Sequence, residues 1–147
     1  MGPHLKDVKR LKLDLSKRYE ITDLGEISSY LGICITCDRP KRRLDIDQSG
    51  YIKDLLDRFN MADANPCKTL LPAGADVHLI KNTGKVSEED IKHFQSLISS
   101  LLYVQIGTRP DISFAVLHLV QYASNLSNQH LRLAKHILSY LSGTIDT

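Results

Sequence analysis

Three sets of residues in this chain have types and spacings that invite chemistry. Cys34 and Cys37 make a C-x-x-C pair, the spacing of zinc ligands and redox dithiols. Asp45 and Asp47 make a D-x-D pair, whose carboxylates on alternate strand positions share a face and offer oxygens to a divalent cation. Arg109 stands in the break Gly107-Thr108-Arg109-Pro110-Asp111 inside the apolar stretch LLYVQIGTRPDISFAV, where a fixed cation either meets a phosphate or ties two helices together. Their surroundings limit what each can do. The stretch YLGICITC alternates as a strand does, so Cys34 and Cys37 point to opposite faces and cannot chelate one ion. Cys67 stands alone, and an odd count of 3 cysteines argues against a disulfide framework. The 6 histidines (4, 78, 93, 118, 130 and 136) are scattered, and His130 and His136 fall on different faces of one helix, as ordinary polar or half-buried histidines. A lone D-x-D on a hairpin is a weak metal signal. No nucleophile elbow, phosphate-cradling glycine loop or HExxH occurs.

The elements that must position these residues are legible from periodicity. Leu5, Val8, Leu11, Leu15 and Tyr19 recur at three- and four-residue steps, predicting an amphipathic helix over about 5–19 with Lys/Arg on its outer face. Leu31, Ile33 and Ile35 alternate with Gly32, Cys34 and Thr36. Asp38-Arg39-Pro40-Lys41 interrupts them, and Leu44 and Ile46 alternate with Asp45 and Asp47, predicting a β-hairpin with a basic tip. Ile52, Leu55, Leu56 and Phe59 mark a helix entered through Asp47 or Ser49 and ending near Asn60. Residues 61–86, with Pro66, Pro72, Gly74 and Gly84, read as an irregular connector. Ser87 followed by Glu88, Glu89 and Asp90 resembles a capping box and opens a helix over about 88–106 with Ile91, Phe94, Ile98 and Leu101 inward. Gly107 suits its stop, and Pro110 the first turn of the next helix, striped by Ile112, Ala115, Val116, Leu119 and Ala123. Ser127 caps a last helix with Leu131, Ala134, Leu138 and Leu141 inward, stopped at Gly143. The fold class expected is α+β: helix, hairpin and following helix over 1–60, the connector over 61–86, and a three-helix bundle over 87–147.

Composition agrees with an ordinary globular domain: 147 residues, 42% hydrophobic, 24% charged, no Trp. Mean hydropathy is −0.19 and no apolar run approaches 18 residues, which argues against a membrane span. The charged start MGPHLKDVKR lacks the apolar core of a signal peptide, so an intracellular setting, cytoplasmic or nuclear, is expected. Net charge is only +2, but Lys6, Lys9, Arg10, Lys12, Lys17 and Arg18 form one basic patch and Arg39, Lys41, Arg42 and Arg43 a second.

Four stretches in order carry a resemblance: KRYEITDLGEISSYLGICI, LDIDQSGYIKDLLDRFNM, SLLYVQIGTRPDISFAV and HLRLAKHILSYLSGT. Together they resemble the reverse transcriptase of copia-type LTR retrotransposons, over about residues 5–144. In that family the metal-binding aspartates lie in the palm, the last two in a Tyr-Val-Asp-Asp type motif ahead of the matched region, and no Tyr-x-Asp-Asp occurs here. The resemblance therefore implies the palm end, the primer-grip hairpin and the thumb. It implies no catalytic residue, metal or cofactor, because polymerisation needs two ions held by those carboxylates.

On this resemblance, residues 30–46 grip the primer strand, with Tyr30, Gly32, Lys41, Arg42 and Arg43 as contacts, and the helices of 88–142 lie along a duplex as a thumb. Arg132 and Lys135 then supply the last helix's phosphate contacts; where the family commonly has His-Trp, this chain has His130-Leu131. Such contacts are sequence-independent and salt-sensitive. Thr108, Arg109, Pro110 and Asp111 match the family's Thr-Arg-Pro-Asp signature, and the expected role of Arg109 is structural, tying the junction to a carboxylate or to helix C-terminal carbonyls. Expected partners are an RNA–DNA or DNA duplex and a second copy covering the apolar edge of Leu31, Ile33 and Ile35. The alternative is a retroelement-derived module that binds an unidentified protein.

Overall fold

The computed structural model describes residues 4–75 and 86–145. Helix α1 (Leu5–Ser16) is followed by three strands, β1 (Ser29–Tyr30), β2 (Ile33–Asp38) and β3 (Arg43–Asp47), and by α2 (Ser49–Arg58). After the connector come α3 (Glu88–Gly107), a 3-10 turn (Pro110–Ile112), α4 (Ser113–Val120) and α5 (Asn128–Ser142). Helices and one small antiparallel sheet make this an α+β chain. Residues 76–85 of the connector, with His78 and Gly84, lie outside the described residues. Among the described residues no helix is long and apolar enough to cross a membrane.

The core is helical. Ile52, Leu55 and Leu56 of α2, and Phe59 just after it, are buried with Phe94, Leu97, Ile98, Leu101 and Val104 of α3. Ile112, Ala115, Val116 and Leu119, with Leu133, Ala134, Ile137, Leu138 and Leu141 of α5, complete one continuous cluster. Phe94, with no exposed surface, sits among aliphatic neighbours at the three- and four-residue spacing that keeps one helix face inward. Burial of this order, at about 25 cal/mol per Å² of apolar surface, is the main favourable term for the bundle.

Local chemistry sets the ends. Ser87 Oγ accepts the Asp90 N–H at 3.0 Å at the start of α3, whose first turn holds Glu88, Glu89 and Asp90 against the positive helix end. Helix α2 closes in a Schellman motif: Asn60 adopts φ +54°, the Met61 N–H donates to Leu56 O at 2.8 Å and the Asn60 N–H to Asp57 O at 3.1 Å. Asp47 Oδ1 accepts the Ser49 N–H at 3.0 Å at the start of α2. The described part of the connector lies against α5, with the Cys67 N–H donating to Ser139 O at 3.1 Å.

Four expectations are corrected. Helix α1 ends at Ser16, and none of its residues is buried; Leu5, Leu11, Leu13 and Tyr19 are exposed. Periodicity marked the face a partner would cover, and no described part of the chain covers it. Leu31 lies in a turn, because Ser29–Tyr30 adds a third strand through a two-residue loop in which Leu31 (φ +50°) and Gly32 (φ +78°) both take positive φ. Ala123 falls beyond α4, which ends at Val120. The inner stripe of α5 is His130, Leu133, Ala134, Ile137, Leu138 and Leu141, with Leu131 only half-buried. The two candidate stripes are neighbours on one helix, and packing against α2, α3 and α4 chose between them.

Candidate functional site

The basic tip is the loop Arg39-Pro40-Lys41-Arg42 between β2 and β3. The Arg42 N–H donates to Arg39 O at 3.0 Å and the Lys41 N–H to Asp38 Oδ1 at 3.1 Å, with Arg42 itself at φ +55°. The cations are exposed and loosely neutralised: Arg39 pairs with Glu26 (3.2 Å), Lys41 with Asp38 (3.1 Å) and Arg43 with Asp45 (2.7 Å). Among the described residues Arg42 has no ion-pair partner. Exposed pairs of this kind are each worth only about 0–1 kcal/mol and are screened by salt, so a phosphate can displace them.

The remaining residues of the expected duplex-contacting set lie elsewhere. Tyr30 and Gly32 sit at the opposite end of β2, about 20 Å from the tip by strand rise. Tyr30 is exposed, whereas Gly32 faces the bundle: a Cβ there would touch Tyr51 Cδ2 at 3.8 Å and Tyr103 Oη at 4.0 Å. The Tyr103 hydroxyl donates to Leu31 O, and the Tyr51 and Tyr103 rings meet edge to face at 4.9 Å. The β1–β2 turn is thus fastened to α2 and α3. Arg132 and Lys135 lie exposed one turn apart on α5. The structure gathers Lys41, Arg42 and Arg43 into one patch and keeps the other four away from it.

The two D-x-D carboxylates are occupied. Asp45 accepts from Arg43 Nε at 2.8 Å, and Asp47 takes both the Ser49 N–H and its hydroxyl (2.6 Å), which holds its carboxyl below the usual carboxylate range. Among the described residues no three His, Cys, Asp or Glu side chains gather at metal-binding distance. Cys34 and Cys37 are exposed on opposite faces of β2.

Arg109 is 8% exposed, the least solvent-accessible cation among the described residues. Its Nε and Nη2 donate to the two carboxylate oxygens of Asp111 at 3.0 and 2.7 Å. Nη1 and Nη2 donate to Thr144 O and Oγ1 at 2.9 and 2.7 Å. The guanidinium lies 5.5 Å from the Tyr140 ring, and the Tyr140 hydroxyl donates to Asp111 Oδ2 at 3.0 Å. Arg109 holds the Asp111 carboxyl below the usual carboxylate range, with burial opposing, while Asp111 raises Arg109. The cluster joins the α3–α4 junction to the end of α5, and all of the guanidinium N–H groups it uses are directed at protein.

Sequence reading missed the partners that complete this junction. Gln48, buried, accepts the Thr108 hydroxyl on Oε1 at 2.9 Å and lies against Gly107. Thr144 and Tyr140 are equally remote in sequence from Arg109, so no local pattern could announce them. Two histidines also have structural placements. His130 is fully buried, stacks on Tyr122 at 4.0 Å and accepts the Ser127 N–H on Nδ1 at 2.9 Å; burial lowers its pKa. His136 Nε2 lies 2.9 Å from Thr69 O and 3.5 Å from Cys67 Sγ. A nitrogen donating to that carbonyl cannot also take the thiol's proton, so the contact pins the connector to α5 and His136 does not serve Cys67 as a base.

Residues 1–73 match the reverse transcriptase (RNA-dependent DNA polymerase) family. The chain is 35% identical, over 93% of its length, to the retrovirus-related Pol polyprotein from transposon TNT 1-94 of Nicotiana tabacum, and covers 10% of that protein. It is 37% identical, over 89% of its length, to the Pol polyprotein from transposon RE1 of Arabidopsis thaliana, covering 8% of it. An uncharacterized mitochondrial protein of Arabidopsis thaliana is 31% identical over 92% of the chain, which spans 53% of that relative. No solved structure gives a significant match. The chain spans about a tenth of the length of the first polyproteins it matches, and its similarity to them is that of a retrotransposon reverse transcriptase region.

Proposed function

We propose that this segment holds the sugar–phosphate backbone of a primer–template duplex within a reverse transcriptase and contributes no catalytic carboxylate. The observation that carries the reading is the hairpin tip, where Arg39, Lys41, Arg42 and Arg43 project at the end of two paired strands, with Glu26, the half-buried Asp38 and Asp45 as their ion-pair neighbours. The hairpin acts as primer grip and the helices of 88–142 as thumb, with Arg132 and Lys135 as secondary phosphate contacts. Phosphate recognition by such a tip is independent of base sequence and depends steeply on salt.

Anisotropy titrations of labelled RNA–DNA and DNA duplexes over a salt series test it. Replacing Lys41, Arg42 and Arg43 together by Ala should leave thermal stability within about 0.5 kcal/mol, since all three are exposed. The same change should weaken binding to both duplexes and flatten the salt slope by up to roughly three phosphate contacts. Binding that ignores salt, or a triple variant that binds like the parent, would sink the reading. Primer extension on a primed RNA template, with Mg²⁺ or Mn²⁺, should stay at the heat-killed background; extension above it would overturn the non-catalytic assignment.

A specific observation favours a second reading. Leu5, Leu11 and Leu13 on α1, and Tyr19 and Leu24 in the segment that follows it, are exposed large apolar side chains of the kind a protein partner covers. On that reading the chain is a retroelement-derived module that binds protein, and the duplex titrations give no salt-dependent binding at all.

A further inference from the structure

The sheet has an open edge. Its order is β1-β2-β3, and β3 pairs with β2 through Cys34↔Asp47, Ile35↔Ile46, Thr36↔Asp45, Cys37↔Leu44 and Asp38↔Arg43. Among the described residues the other side of β3 has no backbone partner. Such an edge is a template for another strand. One sheet face also stays apolar and uncovered near it, with Leu44 and Ile46 more than half exposed beside Ile35 and Cys37.

We propose that β3 pairs antiparallel with β3 of a second copy about a two-fold axis through Leu44. An antiparallel pair of identical strands related by such an axis must place one residue opposite itself. Centring on Arg43, Asp45 or Asp47 sets that charge against its own copy, and centring on Ile46 sets Asp45 against the other copy's Asp47; like charges directly opposite are destabilising. Only the Leu44 centre avoids this. It places Leu44 against Leu44 and Arg43 against Asp45, in both directions. Arg43 and Asp45 already pair within one strand at 2.7 Å, so the two copies close a ring of four alternating charges on one face of the sheet. On the other face Leu44 covers Leu44 and the apolar surface runs on across six strands. Arg43, at the base of the basic tip, then lies within the interface, so a duplex and a second copy compete for it.

A charge exchange measured by sedimentation or light scattering tests this with the full chain. The parent's weight-average mass should rise toward twice the monomer between micromolar and sub-millimolar protein, and less steeply at high salt. Arg43→Asp alone and Asp45→Arg alone should each stay monomeric, because each puts like charges opposite in both directions. An equimolar mixture of the two should regain the doubled mass, and so should the chain carrying both changes. Circular dichroism checks that each variant folds; the doubly exchanged chain keeps the pair within the strand. A parent that is monomeric throughout overturns the proposal, as do single variants that associate like the parent or a mixture that does not. Asp45→Arg adds positive charge beside the tip, so it should lose dimerisation while keeping duplex binding, which separates this interface from the proposed function.

Discussion

Replacing Arg109 by Ala should lower stability by about 3 kcal/mol, a fall of roughly 10 °C in Tm for a chain of this size. The magnitude follows from where the side chain lies. Exposed ion pairs contribute almost nothing, but Arg109 is 10% exposed at its side chain and forks both oxygens of Asp111 at 3.0 and 2.7 Å. Two further donors go to Thr144, at 2.9 and 2.7 Å, so one guanidinium joins positions 35 residues apart. Asp111 is 40% exposed and rehydrates when its partner is gone, which keeps the loss short of a fully buried orphan charge. Arg109→Lys should recover less than half, because a single ammonium cannot address a carboxylate and a threonine in the same plane.

The pH dependence has a definite sign. Asp111 has its folded-state pKa lowered below 3.8, chiefly by Arg109, so its contribution is complete above that value and disappears as pH falls through the lowered one. Arg109→Ala should remove this part of the acid limb. Thermal melts by circular dichroism at neutral and acid pH check both statements. A variant that melts like the parent but no longer binds duplex would make Arg109 a phosphate contact instead.

Gly107→Ala should cost about 1–2 kcal/mol, although Ala is the better helix former by roughly 1 kcal/mol. A Cβ at this last residue of α3 would lie 2.7 Å from both Cδ and Nε2 of Gln48. Gln48 is 1% exposed and accepts the Thr108 hydroxyl, so moving its amide disturbs a packed site and that hydrogen bond. The methyl must therefore displace a buried, hydrogen-bonded side chain. In a Gln48→Ala background the obstruction is gone, and the same Gly107→Ala change should become neutral or stabilising. The double-mutant cycle should thus show a coupling of about 2 kcal/mol by denaturant melts. Additive effects would mean that Gly107 is there for its backbone, not for the room it leaves.

By itself the sequence determined whatever depends on near neighbours along the chain. The stripe Phe94, Ile98, Leu101 and the acidic first turn specified α3, and the alternation of Leu44 and Ile46 with Asp45 and Asp47 specified β3. Pro40 amid four cations specified an exposed basic tip, and Pro110 after Gly107 and Thr108 specified a break between helices. Each follows from periodicity, capping or a fixed φ, which act over a few residues. Tertiary structure decided the rest. Arg109 became buried only because α5 brings Tyr140 and Thr144 to it, and Gly107 was required only because Gln48 arrives from β3's end. On α5, Ala134, Leu138 and Leu141 face inward as their spacing predicts, and His130, Leu133 and Ile137 join them in place of Leu131 because three helices pack on that side, while among the described residues nothing buries α1, amphipathic in sequence. A hydrophobic face records that something must cover it; which segment does so depends on contacts between residues far apart in the chain, and these exist only once the chain has folded.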